Sequence, residues 1–360
     1  YTAPAVWQHS KEKLQRKFIS ETEDLIKTTT YINQYIYDES TTIAGTVISP
    51  IALSAIQFEE GRIRIITPTA QNNGWDALAV DGNIDLPNGK RGAYDYYLMD
   101  YQGNVRMILT EETHVAANTA TMETNRATLE ESIFGQTGGG NEVAATRYDT
   151  PPAWSGNTTA KVSRLGTLSG HNTGPNTLQK VMAGDEVTAT VSYYHSGSAG
   201  GNNTNIVNTL IGSIITAISG SGAGSPIKNN TTAISNQLNA NSAFINTIQP
   251  NGSNPPGNTP QAFLTVVFFD ERFNFVEAAD GGVAQQQVAA TVGSNGSSLT
   301  LVNIKAPKNG YAYIYISNQS NNPVYFDDFK VQVTAGRIIE ENHYYPYGLK
   351  IATLSAKKLA

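Results

Sequence analysis

The chain of 360 residues contains no cysteine. Disulfides, zinc–thiolate sites and cysteine nucleophiles are therefore excluded. Charge is scarce as well, at 15% of residues, against roughly 25% in an average globular protein. With 24 Lys+Arg against 30 Asp+Glu, the formal net charge is −6. No basic cluster stands out away from the two ends, and a phosphate backbone needs a basic face. No nucleic-acid partner is expected. The longest apolar run, 206–218, is broken by Asn, Thr, Gly and Ser. It is too short and too polar for the ~20 residues of a bilayer-crossing helix, so no membrane span is expected.

Catalytic patterns are missing too. The five histidines, His9, His114, His171, His195 and His343, are far apart and show no HxxxH or HExxH spacing. The stretch 219–225 (SGSGAGS) has no Lys-Ser/Thr after it, so it reads as a flexible linker and not a phosphate loop. Asp270 and Glu271 are adjacent on an expected strand. They point to opposite faces and cannot flank one bond together. No convergent set of acid, base and nucleophile emerges, and the chain is not expected to be an enzyme.

What is present favours strands. Apolar residues make up 39%, enough for a core, and there are 18 Tyr and 32 Gly. Thr, Val and Tyr suit strands, whereas Gly, Asn and Ser suit turns. The length fits two domains, or one with a large insertion. The chain opens YTAPAVWQHS and closes ATLSAKKLA. Both ends read as cuts from a longer polypeptide.

Along the chain, residues 8–29 read as a helical or mixed polar segment, with Leu14, Phe18, Leu25 and Ile26 as a partial stripe. The next segment places Tyr31, Tyr35 and Tyr37 on one strand face. Residues 71–90 are rich in turn signals. Tyr94–Leu109 reads as a β-hairpin around a Gly-Asn turn, and 116–131 as a helix or linker. From 132 to 333, short strands recur as in a sandwich. One of them, AFLTVVFFD, is a nearly unbroken apolar run, as in a strand buried on both faces. A Gly/Asn-rich excursion at about 196–260 holds two helix candidates, 204–219 and 231–248. In the first, Ile206, Leu210, Ile214 and Ile218 form a stripe expected to pack on the sandwich or to plug a shell.

Two motifs carry a family likeness. One is Tyr96-Tyr97-Leu98-Met99-Asp100-Tyr101-Gln102-Gly103-Asn104-Val105-Arg106. The other is His343-Tyr344-Tyr345-Pro346-Tyr347-Gly348-Leu349. They resemble the YYxxDHLGNVR and YYPFGL signatures of the RHS/YD-repeat family, in its repeat-associated core region as found in Bacteroidetes-like sequences. Tyr101-Gln102 replace the usual His-Leu. Phe58–Arg64 (FEEGRIR) looks like a shorter repeat element. Between the motifs, Lys180–Asp185, Phe268–Asn274 and Tyr325–Phe329 resemble parts of an insert common in that group.

The resemblance implies a mainly β fold. Residues 1–115 and 337–360 would form a β-hairpin shell segment. Residues 116–336 would form an inserted jelly-roll-like β-sandwich with the helical excursion. It further implies a secreted or cell-surface bacterial protein, part of a hollow shell that often encloses a toxin. The partners would be the remaining parts of the same polypeptide or its cleavage products. The family's self-cleavage site lies beyond Leu349, so neither cleavage nor toxin is assigned to this chain. Val105–Leu109 and Ile338–Tyr345 are expected to be antiparallel neighbours across the insert's mouth, with Tyr344, Tyr345 and Tyr347 packed beside Val105 and Met107 or the Tyr96–Leu98 strand.

The rival role is a binding module, in which the sandwich holds a glycan or a surface receptor. Trp154, Tyr311, Tyr313 and Tyr315 are its candidate ligand residues, with Tyr193 and Tyr194 also available. The last three candidates share one face at period two. A stacked sugar needs exposed rings, and the plainer reading is a ladder that stabilises the sheet. Asp327 and Asp328, with Glu130 and Glu131, are candidate ligands for a structural Ca²⁺. That ion needs six to eight oxygens, and the plainer reading is strand-end hydrogen bonding.

Overall fold

The computed structural model describes residues 6–7, 13–20, 24–66, 71–72, 75–82, 84–86, 90–135, 142–197, 207–220, 231–249, 259–351 and 355–357. The fold is mainly β, in antiparallel sheets. It divides into two compact units. One comprises Tyr1–Ala70, Ala79–His114 and Arg337–Lys357; the other comprises Gln71–Leu78, Val115–Gly336 and Lys358–Ala360. Gln71–Leu78, a turn-rich stretch in the sequence, thus groups with the second unit.

The first unit is one antiparallel sheet whose spatial order follows chain order. Its strands run Val6–Trp7, Lys13–Ser20, Leu25–Ile32, Tyr35–Thr41, Val47–Phe58, Gly61–Ile66, Arg91–Met99 and Val105–Thr110. The next neighbour is Ile338–Glu341, far ahead in the chain, followed by Ala356–Lys357. The helical reading of 8–29 is corrected where residues are described. Lys13–Ser20 and Leu25–Ile32 pair in register from Gln15↔Thr30 to Ser20↔Leu25. The run Thr28-Thr29-Thr30 supplies β-branched side chains that suit a pleated surface. Cross-strand pairing outweighs the weak helical spacing. Residues 8–12 and 21–23 lie outside the described residues.

A two-residue turn at Asn33–Gln34 brings Ile32 opposite Tyr35. Asn33 takes the positive φ (51°) such a turn requires. Tyr31 therefore lies on the face opposite Tyr35 and Tyr37, and not on theirs.

Much of this sheet is open. Six successive residues, Val47 to Ala52, are exposed, so both faces of that strand meet solvent. One buried centre in it is polar. The Asp95 side chain is fully buried and accepts from Arg62 Nε at 2.9 Å and Arg64 Nε at 3.0 Å. Arg64 Nη2 also reaches Glu112 and the Thr110 hydroxyl. The Asp95 carboxylate ties its own strand to Gly61–Ile66, and the Arg64 guanidinium extends the link to Thr110 on the third strand, through charge-assisted bonds that are stronger than neutral ones.

The second unit has three layers. Its larger sheet centres on Val324–Thr334. One flank pairs with Glu186–Tyr194, which pairs in turn with Ser297–Lys305. The other flank pairs first with Lys161–Leu165 and then with Thr113–Ala120. The region 116–131, read as helix or linker, is thus strand as far as Ala120 and only then turns helical, in α1 (Ala127–Phe134). A short α2 (Glu142–Thr146) follows. The second sheet is ordered Thr173–Val181, Gly310–Asn318, Ala262–Asp270, Val283–Gln287.

The inner faces of the two sheets share one core, in which Val187, Ala189 and Phe326 meet Leu264, Val266 and Ile314. The outer face of the second sheet is covered by α3 (Val207–Gly220), α4 (Thr231–Ala240) and α5 (Ser242–Ile248). Ala262–Asp270 is consequently buried at every residue but the last. Leu210 and Ile214 of α3, Leu238 of α4 and Phe244 of α5 are all 0% exposed. Each such side chain contributes about 1.5–3 kcal/mol by leaving water. Asn241 caps α5 by accepting from Phe244 N at 3.0 Å. Ile206 lies outside the described residues, and Ile218 falls where only the helical backbone is described.

Candidate functional site

The family-like motifs meet in the first unit. Val105–Thr110 pairs antiparallel with Ile338–Glu341, through Met107↔Glu341, Ile108↔Glu340 and Leu109↔Ile338. Beyond the strand, Asn342 N donates to Arg106 O at 2.7 Å and the Tyr344 hydroxyl to Val105 O at 2.9 Å. Arg106 lies over the Tyr344 ring, 5.9 Å from its centroid. Tyr344 alone of the three motif tyrosines packs in this way. Tyr345 and Tyr347 are 52% and 98% exposed, a departure from the expected packing. Both sit on the turn closed by Gly348 N donating to Tyr345 O at 2.9 Å. Pro346 pre-sets φ for that turn, Gly348 supplies its positive φ of 81°, and Leu349 ends it as acceptor for Tyr345 N.

The other motif places Tyr96 and Tyr97 on the Arg91–Met99 strand, before a turn built by Asp100. The Asp100 Oδ1 accepts from Gln102 N and Asn104 N, and Oδ2 accepts from Asn104 Nδ2 at 3.0 Å. Gly103 takes φ 80°. The same device recurs in the second unit. Asp270 Oδ1 accepts from Arg272 N and Asn274 N, and Oδ2 from Asn274 Nδ2 at 2.7 Å. There the residue at positive φ (61°) is Phe273. It is held by burial and by stacking on Tyr311, with centroids 4.3 Å apart. An Asp and an Asn four residues apart therefore encode one hairpin tip in both units.

The aromatic candidates do not form an open platform. Tyr313 and Tyr315 are each 1% exposed and face α3 to α5, with Tyr311 packed beside them. The shared face read from period two is real. The helices of the Gly/Asn-rich excursion cover it. Trp154 is 3% exposed, stacks on Tyr194 at 5.9 Å and donates to Asn295 O. Tyr193 is 2% exposed, and its hydroxyl accepts from Ala289 N. A buried ring has no free face for a pyranose.

The acidic candidates separate into two places. Glu130 accepts from Thr121 N at 2.9 Å, Thr121 Oγ1 at 2.7 Å and Met122 N at 3.0 Å. It holds the chain where Met122 adopts φ 62°. Glu131 pairs with Arg147 at 3.2 Å. Asp327 is buried and accepts from Asn157 Nδ2 at 2.7 Å, Thr159 Oγ1 at 2.6 Å and Asp328 N at 2.8 Å. Burial pushes its carboxyl up to about 6, against the lowering effect of the Thr159 and Asn157 bonds. Burial also raises Asp328, with Glu123 adding repulsion. No group of three or more His, Asp or Glu side chains able to hold a metal ion occurs among the described residues.

Asp327 and Asp328 lie at a bulge. Thr190 opposes Lys330 while Ser192 opposes Asp327, so the central strand carries an extra residue there. Asp328 adopts φ 49°, rare for a non-glycine residue but tolerated by Asp. Two adjoining depressions meet at Ser192, Ser298 and Asp328. One, of about 360 Å³, reaches Thr119, Thr300 and Lys330. The other, of about 370 Å³, reaches Trp154, Asn157 and Asn295. Sequence reasoning singled out the two aspartates and Trp154 but missed the hydroxyls. Their signal was alternation: Thr188, Thr190 and Ser192 interleave with Val187, Ala189 and Val191.

Compared with known proteins, the chain matches no family model, no curated protein and no solved structure. No helix among the described residues is long and apolar enough to cross a membrane.

Proposed function

We propose that the chain is a structural segment of a secreted or cell-surface RHS/YD-repeat shell, in which the first unit is wall and the second is an inserted jelly-roll-like module. The remaining parts of the same polypeptide extend the wall, and the segment itself carries no catalysis. One observation supports this most: the pairing of Val105–Thr110 with Ile338–Glu341. Within the first unit, the strand before the insert and the strand after it are neighbours, as though they were one hairpin. The second unit repeats this with its own pairs, Val115↔Thr334 and Ala116↔Val333. An insertion survives where it leaves the host's hydrogen bonds intact. The chain-order sheet also fits a wall, because each strand is added beside the last through a short turn. The test is electron microscopy of the natural polypeptide that contains this chain. A hollow β-walled particle is expected; a solid globule or a string of separate beads refutes the reading.

A further inference from the structure

We propose that the outer face of the larger sheet in the second unit carries a binding groove for a neutral saccharide, centred on Asp328. This goes beyond the wall reading and does not depend on it.

The groove is built from strands, so its groups are fixed. Thr190 and Ser192 come from one strand, Ser298 and Thr300 from its neighbour, and Asp328 from the bulge of the third. Adjacent strands lie ~4.8 Å apart, and alternate residues on one strand share a face. The result is a grid of short polar side chains on the scale of a sugar ring.

The bonding state of these groups singles the groove out. Asp327 is already engaged by Asn157, Thr159 and the backbone of Asp328. On the same face, Thr188 is engaged with Asn303. The hydroxyls of Thr190, Ser192, Ser298 and Thr300 and the carboxylate of Asp328 make no hydrogen bond to any described residue. Open donors and acceptors therefore converge on one depression, beside a residue held at a strained backbone angle. Strain of this kind persists where the surroundings over-determine it, and it clusters at functional sites.

The chemistry selects the ligand. A hydroxyl both donates and accepts, so a hydroxyl-lined floor matches a ligand that is itself made of hydroxyls. Asp328 can accept from two adjacent ligand O–H groups, in bonds stronger than neutral ones. An apolar ligand would leave these groups unpaired. An anionic one would meet Asp327 and Asp328, with Glu123 acting on Asp328 from nearby, against Lys330, the one cation among the residues that line the depressions. Each depression falls within the roughly 300–1,000 Å³ range of small-ligand pockets.

The test is a printed array of neutral oligosaccharides (glucans, mannans, galactans and xylans), probed with the full chain, beside uronic-acid and sulfated members, with and without EDTA. Binding to neutral members, unaffected by EDTA, is expected. Asp328→Gly removes the carboxylate while suiting the positive φ, so it preserves the fold. It should weaken binding about 10- to 100-fold, the range of a charge-assisted hydrogen bond. Ser298→Trp, on an exposed strand position, should block the groove and abolish binding. Circular dichroism of both variants checks folding. No bound member, binding confined to acidic members, binding lost with EDTA, or binding unchanged in both folded variants overturns the proposal.

Discussion

Tyr315→Phe is expected to stabilise the protein. The ring is 1% exposed beneath α3 to α5. Its hydroxyl makes no hydrogen bond of good geometry among the described residues, the Thr265 side chain being its one weak polar contact. Thr265, directly opposite on the next strand, already accepts from Gln285 Nε2 at 3.0 Å. Burial holds the phenol well above its ordinary pKa, and the contact with Thr265 offsets only part of that rise. A buried hydroxyl with no partner costs about 1–3 kcal/mol of desolvation. Removing it leaves the ring in place and a gap of only one oxygen. The net gain is about 1 kcal/mol. In urea unfolding followed by far-ultraviolet circular dichroism, that raises the midpoint by roughly 0.3–1 M, for a slope of about 1–3 kcal/mol/M. Tyr315→Ala removes the ring as well and should cost about 2–4 kcal/mol, after the relief of desolvation is set against the cavity. A midpoint lowered by about 0.3 M or more in Tyr315→Phe would refute this. The hydroxyl would then be bonded, and the layer over the ladder would not be dry.

Three further outcomes are expected. Asp95→Ala should destabilise the first unit by about 3 kcal/mol, because Arg62 would keep its partly buried charge without that counter-ion and Arg64 would keep Glu112 alone; a loss of less than about 1 kcal/mol in urea unfolding would show that this network does not hold the sheet. Glu142 is 8% exposed, and burial raises its carboxyl to about 7, with the Thr173 hydroxyl opposing. The folded pKa exceeds the unfolded one, so the folded state holds this proton more tightly and stability falls as pH rises from about 4.5 to 7, by about 3 kcal/mol. Glu142→Gln should match wild type at pH 4 and exceed it at pH 8, and equal differences at both values would refute the assignment. Asn104→Ala and Asn274→Ala each remove the amide that closes an Asp-anchored turn. Each should cost about 1 kcal/mol, and unequal losses in thermal melts would show that the two turns are not energetic equivalents.

Strand periodicity made much of the fold legible. The unbroken apolar run 262–270 (AFLTVVFFD) reads as a strand with two covered faces, and the structure supplies a sheet on one side and helices on the other. The order of the two motifs pointed to the pairing at Val105–Thr110. Three features were hidden for physical reasons. In Lys13–Ser20 the side chains suit a helix nearly as well as a strand, and only the Thr-rich partner decides. Period two shows that Tyr311, Tyr313 and Tyr315 share a face. It cannot show what lies over that face, because the covering helices come from a separate stretch of chain. The groove hydroxyls look like any solvent face, since alternation with Val and Ala is also what an idle surface strand shows. What sets them apart is the bulge at Asp328, which no local pattern announces.

The strand partner of Val105–Thr110 arrives late. Ribosomes add roughly 5–20 residues per second, so Ile338–Glu341 emerges some 10–50 s after the strand it completes. Throughout that interval the growing chain displays an open ladder edge carrying Met107 and Ile108, the kind of edge on which nascent chains pair with one another. The second unit completes its central strand, Val324–Thr334, just before Ile338 appears, and domains fold as units while the chain is being made. Its closure brings the two chain ends together at Val115↔Thr334. The late strand is thus delivered beside its partner instead of having to search for it, which converts a distant contact into a local one at the moment it forms.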